Sequence, residues 1–253
     1  MTAKCEGGCG GKKSCGGPCL LALALVLGCA GKRDPRPGQP STDPTHAAAE
    51  SPTAEEPGEE AMSALEQRLI DARRVVIEFE VDSTGAVVSH FSGTLHWEGE
   101  DALSLRATGE FDGVPQNLEL RGDAETLVTF VDGHQVWTGP RPPELVEAIV
   151  IGLTRQGLLH NLAVLTVGSQ PEHGEGGMDD WLSYVEPELG PIQPFGAGKA
   201  QPLGFGIEVE GQPVGRATLW LRANGLPIER QQSVEFPSGS MAVVERYPTW
   251  VMR

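Results

Sequence analysis

"VVIEFEVDSTGAVVSHFSGTLHWEGEDALSLRATGEFDGVP", Val75 to Pro115, decides the fold. Apolar and polar residues alternate along it. Val75, Ile77, Phe79 and Val81 are interleaved with Glu78 and Glu80. Val87, Phe91, Leu95 and Trp97 are interleaved with Ser92, Thr94 and His96. Leu103, Leu105, Ala107 and Phe111 are interleaved with Ser104, Arg106 and Glu110. A period of two puts all the apolar side chains of a strand on one face. The runs are parted by "DSTG", "EGED" and "DGVP", whose residues favour tight turns. The stretch therefore reads as a meander of antiparallel strands, each with one apolar face.

The same rhythm continues through Leu118 and Leu120 in "NLELRGD", then "ETLVTFVDG" and "HQVWTG", with turns at "RGDAE" and "VDGH". Upstream, "MSALEQRLIDARR", Met62 to Arg74, has the helical period instead, with Leu65, Leu69 and Ile70 on one face. Ser63 followed by Glu66 fits a capping box that would open this helix. Downstream, the alternation stops at "PRPPELVEAIVIGLTRQGLLHNLAVLTVG", Pro140 to Gly168. Pro142 and Pro143 suit a first helical turn. Leu145, Val146, Ile149, Leu153, Leu158, Leu159 and Leu162 make the run apolar on most sides, so it should be largely buried. Gly152 and Gly157 are expected to divide it into two short helices. Glu144, Glu147, Arg155, Gln156, His160 and Asn161 argue against a membrane span.

"GSQPEHGEGGMDD" reads as a loop. "WLSYVEP" and "ELGPIQPFGAGKAQP" then lead to a second meander. In "LGFGIEVEG" the apolar Leu203, Phe205, Ile207 and Val209 alternate. Asn224-Gly225 within "VGRATLWLRANGLPIERQQSVEF" signals a hairpin, and "GSMAVVERYPTWV" closes the chain as a strand. A helix, five or six strands, one or two buried helices, a loop and about four strands give a mainly β (α+β) fold. A single curved antiparallel sheet folded around helices satisfies that order.

The chain has 253 residues and a net charge of −16 at pH 7. Such a surface repels nucleic acid and anionic headgroups. From Gly31 to about Glu60 the sequence is rich in Pro, Glu, Ser and Thr without large apolar residues. It cannot offset chain entropy by burial and is expected to be a disordered, partly extended tether. All five cysteines, Cys5, Cys9, Cys15, Cys19 and Cys29, lie ahead of that tether. The first four read C-x3-C-x5-C-x3-C, but glycine fills the gaps and no apolar element surrounds them, so neither a zinc site nor a disulfide framework is expected. Lys4, Lys12 and Lys13 followed by "LLALALVL" form a secretory signal too short to span a bilayer. Its end, "VLGC", resembles the lipobox of bacterial lipoproteins. That resemblance implies cleavage before Cys29 and a diacylglycerol and an N-acyl chain on Cys29, with Ala30 directing the protein to the outer membrane. More than one chain anchors firmly. The expected domains are a signal peptide (1–28), a lipidated Cys29 with its tether (29–60) and a folded domain (61–253).

Four features of that domain together resemble the LolA, LolB and LppX group of lipoprotein carriers. They are the helix before Val75; "TFVDGHQVW", a strand, turn and strand ending at Trp137; the buried helices near Leu145 to Leu165; and "ATLWLRANGLPIERQQ". The resemblance implies an incomplete β-barrel with helices covering or plugging its concave side and acyl chains in the space between. Phe79, Phe91, Trp97, Phe111, Leu145, Ile149, Phe205 and Leu219 are the candidate lining. A curved apolar sheet either packs on a helical plug or holds lipid, so Trp97, Trp137 and Trp220 read equally as core or as lining.

Other constellations are weaker. His173, Glu175, Asp179 and Asp180 share a glycine-rich loop without ligand spacing. His90 and His96 fall on the polar side of a strand. Arg121-Gly122-Asp123 reads as a turn, and the chain has no G-x-S-x-G nucleophile elbow. No catalytic residue, metal or cofactor beyond the Cys29 lipid is expected. The leading expectation is a non-enzymatic, lipid-anchored protein at the outer membrane, facing the periplasm, that binds an acyl chain, lipid or lipoprotein. The alternative is a structural or interaction module of the envelope that uses its acidic surface.

Overall fold

The computed structural model describes residues 56–167, 181–236 and 239–253. The expectations for the signal, Cys29, the tether and the loop with His173, Glu175, Asp179 and Asp180 lie outside the described residues. The fold below belongs to the compact unit Glu50–Arg253.

Its first element is helix α1, Pro57–Ile70. It begins earlier than the spacing of apolar residues suggests, because Pro57 pre-sets the first helical turn. The capping box is not formed. Glu56 is the N-cap and makes no side-chain cap bond, and Ser63 lies inside the helix. Glu66 is buried and has a different task, described below. α1 packs on β7, Leu182–Leu189. The approach is close enough that a Cβ on Gly58 would overlap the Pro187 carbonyl.

Six strands follow: β1 Arg74–Gly85, β2 Ser89–Glu98, β3 Ala102–Phe111, β4 Val114–Gly122, β5 Thr126–Val131 and β6 His134–Pro140. They form the expected meander, each pairing antiparallel with the next. The helical interlude contains α2 (Leu145–Ile151), a π-helical turn (Gly152–Gln156) and α3 (Leu158–Val167). After β7 come β8 Gln193–Phe195, β9 Gly198–Val209, β10 Gln212–Leu221, β11 Pro227–Phe236 and β12 Gly239–Met252.

All but β8 run in one antiparallel sheet in the order β6-β5-β4-β3-β2-β1-β12-β11-β10-β9-β7. The two meanders are joined by β1 against β12, from Val75 opposite Met252 to Gly85 opposite Met241. The ends, β6 and β7, do not pair with each other, so the sheet is an open, incomplete barrel. Where β12 passes Phe79 the register slips, and Tyr247 and Pro248 fall in the irregularity. A proline cannot donate to the ladder, and a bulge is where a strand tolerates one. Arg222 donates to the freed carbonyls of Tyr247 at 2.8 Å and Pro248 at 3.3 Å.

The helices lie on the inner face. α1 contacts β7, β9 and α2, the π-helical turn contacts β7, and α3 contacts β4 and β5. The covered face is apolar in successive cross-strand rows. Ile77, Leu95 and Leu105 align, as do Val75, Trp97 and Leu103, and all six are buried.

Candidate functional site

The inner face of β11 and β12 departs from this apolar pattern. Along β12, Met241, Val243 and Tyr247 are buried at period two, and Glu245 occupies the same register with no exposed surface. Directly opposite on β11 lies Arg230, also without exposed surface. These two charged residues face the place where the helical cover breaks.

The break is at Gly157, whose φ of 88° belongs to the left-handed region that suits glycine. Helix ends leave backbone groups without partners. An unpaired buried group costs about 1–3 kcal/mol, so a break beneath an apolar sheet needs polar partners from elsewhere. Glu245 supplies them on one side: its Oε1 accepts from the amides of Leu158 at 2.6 Å and Leu159 at 3.0 Å. Arg230 supplies them on the other, donating to the carbonyls of Thr154 at 2.6 Å and Arg155 at 2.5 Å. An acid at the start of α3 and a cation at the carbonyl end of the preceding turn also match the signs of the helix dipoles. Tyr247 donates its hydroxyl to Glu245 Oε2 at 2.6 Å. The guanidinium of Arg230 lies 5.5 Å from the centre of the Phe205 ring.

Burial pushes the Glu245 carboxyl above its ordinary value, opposed by the charge of Arg230 and by the bonds from Tyr247, Leu159 and Leu158. Burial lowers the Arg230 value, opposed by Glu245. Burial, and then Glu245 beside it, hold the Tyr247 hydroxyl well above its ordinary value, so it stays a proton donor.

A second buried network grips the same turn from α1. Arg155 donates from Nε to Glu66 Oε1 and from Nη2 to Glu66 Oε2, each at 2.8 Å. This is a bidentate, charge-assisted pair. The Thr154 hydroxyl lies 2.8 Å from Glu66 Oε1. Arg155 Nη1 donates to the Leu182 carbonyl at 2.9 Å, and its guanidinium lies 5.1 Å from the centre of the Tyr184 ring. One polar chain therefore runs from α1 through the π-helical turn to β11, β12 and α3.

The eight residues expected to line a cavity divide into two groups. Phe79, Phe91, Trp97, Phe111, Phe205 and Leu219 are buried on the inner face. The Phe91 and Phe111 rings meet at 4.7 Å. Leu145 and Ile149 are half-buried on α2. A depression of about 430 Å3 lies over β9 to β12, lined in part by Arg216, Thr218, Gln231, Ser233 and Val244. Thr218 and Val244 stand between buried neighbours, Gln231 pairs with both, and Arg216 opposite Ser233 is two residues along on the same face, so these five face outward, away from the helices. Of the eight candidates, Phe205 alone borders this depression.

Trp97 is core, Trp137 is half-buried on β6, and Trp220 is on the outer face. Trp220 alternates with the buried Leu219 and Leu221 and stacks on Phe195 at 4.5 Å. His90 is exposed and meets Asp82 Oδ1 at 2.7 Å. The Arg121-Gly122-Asp123 stretch leads into a turn. Asp123 accepts from the amides of Glu125 and Thr126 at 2.8 Å each, and these bonds hold its carboxyl below the usual range. Among the described residues no group of three or more His, Cys, Asp or Glu is placed to hold a metal. Among them, too, no helix is long and apolar enough to cross a membrane.

The sequence reading did not single out Arg230 or Glu245, and it took Glu66 for a capping-box residue and Arg155 only for a charge that argues against a membrane span. For Glu245 a signal was present, since it stands where the alternation requires an inward apolar residue.

No family model matches the chain, and no curated protein matches it. Solved structures do. A LolA superfamily protein from Nitrosomonas europaea is 8% identical with a TM-score of 0.33, over 78% of this chain and 93% of that one. A DUF1329 family protein from Desulfovibrio piger is 9% identical with a TM-score of 0.32, over 78% and 94%. A domain described as an outer membrane lipoprotein-sorting protein, from Vibrio parahaemolyticus, is 9% identical with a TM-score of 0.29, over 78% and 92%. The structure neighbours of this chain are thus LolA superfamily, DUF1329 and outer membrane lipoprotein-sorting domain proteins.

Proposed function

We propose that this chain is a non-enzymatic protein, lipid-anchored through Cys29 at the outer membrane and facing the periplasm, whose folded unit takes up a hydrophobic ligand between its sheet and its helical cover. The ligand is an acyl chain, a lipid or the acyl part of a lipoprotein. The observation that carries this reading is the cover itself. Residues 145–167 cross an open sheet whose inner face is apolar in row after row, and hydrogen bonds from Arg230 and Glu245 fix them at the Gly157 break. Displacing α3, which contacts β4 and β5, would offer that apolar face to a chain of similar chemistry.

The test uses the full chain with Cys29→Ser, titrated with a fluorescent fatty acid. Saturable uptake at one site, competed by unlabelled fatty acid, is expected. Absence of saturable uptake overturns the reading. A second reading, an interaction module with an acidic surface, is favoured by one observation: six of the eight candidate lining residues are already buried. It predicts no uptake, together with a protein partner whose binding survives mutation of Phe79 and Trp97.

A further inference from the structure

The inner face is not covered equally along the sheet. One cross-strand row can be followed from the middle of the sheet to its end. Ile77, Leu95, Leu105, Leu120, Thr129 and Trp137 stand opposite one another on β1 to β6. Ile77, Leu95 and Leu105 are buried, whereas Leu120 and Trp137 are half-buried. Val131, two residues along β5 on the same face, is half-buried too. α3 covers this end through its contacts with β4 and β5. At the other end of the sheet α1 packs on β7 and β9, and Leu182, Leu203 and Phe205 are buried. Apolar inner surface therefore reaches solvent at the β6 end.

Trp137 reaches this row through a bulge. Phe130 pairs with Gln135 and Thr129 with Trp137, so Val136 is the extra residue. Without the bulge Val136 would stand opposite Thr129, and Trp137 would face outward. Bulges re-aim side chains in this way. The indole lies along its own strand, over Gly139. A Cβ on Gly139 would come within 2.4 Å of Trp137 Cζ2 and 2.7 Å of Cη2. Glycine at this position is what gives the ring its place on the inner face.

A half-exposed indole at the end of an apolar row is itself amphipathic, with an apolar body and a polar N–H tip. It matches a ligand with an apolar tail and a polar head. The tail would continue over Leu120 and Val131, under α3. A charged head group would stay in water beside Trp137, because burying an unpaired charge is costly.

We infer that the acyl chain enters the inner face at the β6 end, tail first, and that the Trp137 ring holds the methylenes next to its head group. The inference rests on the hydrophobic-ligand reading and names the port of that site.

The test uses the full chain with Cys29→Ser and two photoactivatable fatty acids. One carries a diazirine beside the carboxyl group, the other at the end of the tail. The carboxyl-end probe is expected to label residues 134–140, and the tail probe to label α3 or β2 to β4. Trp137→Ala is expected to keep the native circular dichroism spectrum and to weaken fatty-acid binding by roughly tenfold, the loss of about two buried methylenes. Trp220→Ala, which removes the same ring from the outer face, is expected to bind as the parent does. Without saturable uptake, this inference falls together with the hydrophobic-ligand reading. With uptake, it falls alone if the carboxyl-end label lands on α1 or β7, if both probes label the same residues, or if Trp137→Ala binds like the parent.

Discussion

Glu245 on β12 and Arg230 on β11 stand opposite each other, and each holds one side of the same helix break. A buried pair of this kind adds little stability over an apolar pair of equal volume, because desolvation offsets the attraction. Its effect is positional. The break at Gly157 can rest only where both charges find their backbone partners, so the pair fixes where the cover sits on the sheet.

The costs of removing the two partners should therefore not add. Arg230→Met or Glu245→Leu alone leaves a buried charge without its counterpart and should destabilise the unit by about 3–5 kcal/mol. The double variant should lose clearly less than the sum. Urea unfolding of the four proteins measures the coupling. Additive losses would mean that the two residues stabilise the fold independently.

Gly157 is predicted to be intolerant of any side chain. A Cβ there would lie 2.6 Å from Glu245 Oε1, on a backbone with φ of 88°. Gly157→Ala should cost about 2 kcal/mol or more, since strain and a displaced carboxylate add together. Gly99, at φ of 52° with nothing near its Cβ position, is the control and should lose about 1 kcal/mol from backbone strain alone. Equal thermal shifts for the two variants would remove Glu245 from the explanation.

The link from α1 to the cover makes a separate prediction. Glu66 and Arg155 are both nearly buried, with side-chain exposures of 11% and 10%. Glu66→Gln keeps the shape but removes the charge and should cost about 2–3 kcal/mol. Exchange of amides in residues 145–163 should quicken in this variant more than exchange in β1 and β12. Uniform quickening across the sheet would show that Glu66 supports the whole fold and has no particular hold on the cover.

The sheet was legible because strand period and turn chemistry are local. Val75 to Phe111 carries its strand faces in its own alternation, and Asn224-Gly225 carries its own hairpin. The helical cover was legible from the apolar run after Pro143. The clamp was not, because its meaning depends on contacts across long stretches of chain. Arg230 meets the carbonyl of Arg155, and Glu66 meets the guanidinium of the same residue. Ser63 and Glu66 have capping-box spacing, yet the tertiary ion pair with Arg155 claims Glu66. Trp220 reads equally as core or as lining, but its neighbours Leu219 and Leu221 take the inner face and period two turns it outward.

A last prediction concerns acid. Glu119 on the outer face of β4 accepts from Arg121 at 2.6 Å and from Arg106 at 2.7 Å. The bond from Arg121, followed by that from Arg106, lowers its pKa from an ordinary 4.5 to about 2. A carboxyl depressed in the fold contributes its full stabilisation above its unfolded value of 4.5, and loses it as pH falls towards 2. Both arginine side chains are largely exposed, at 57% and 72%, so screening limits the effect to about 1 kcal/mol at most. Glu119→Gln should be less stable than the parent at pH 7 by no more than that, and the difference should close between pH 4.5 and pH 2. Added salt should shrink the gap at pH 7. A gap that persisted below pH 2 would show that Glu119 acts through its shape and hydrogen bonds rather than its charge.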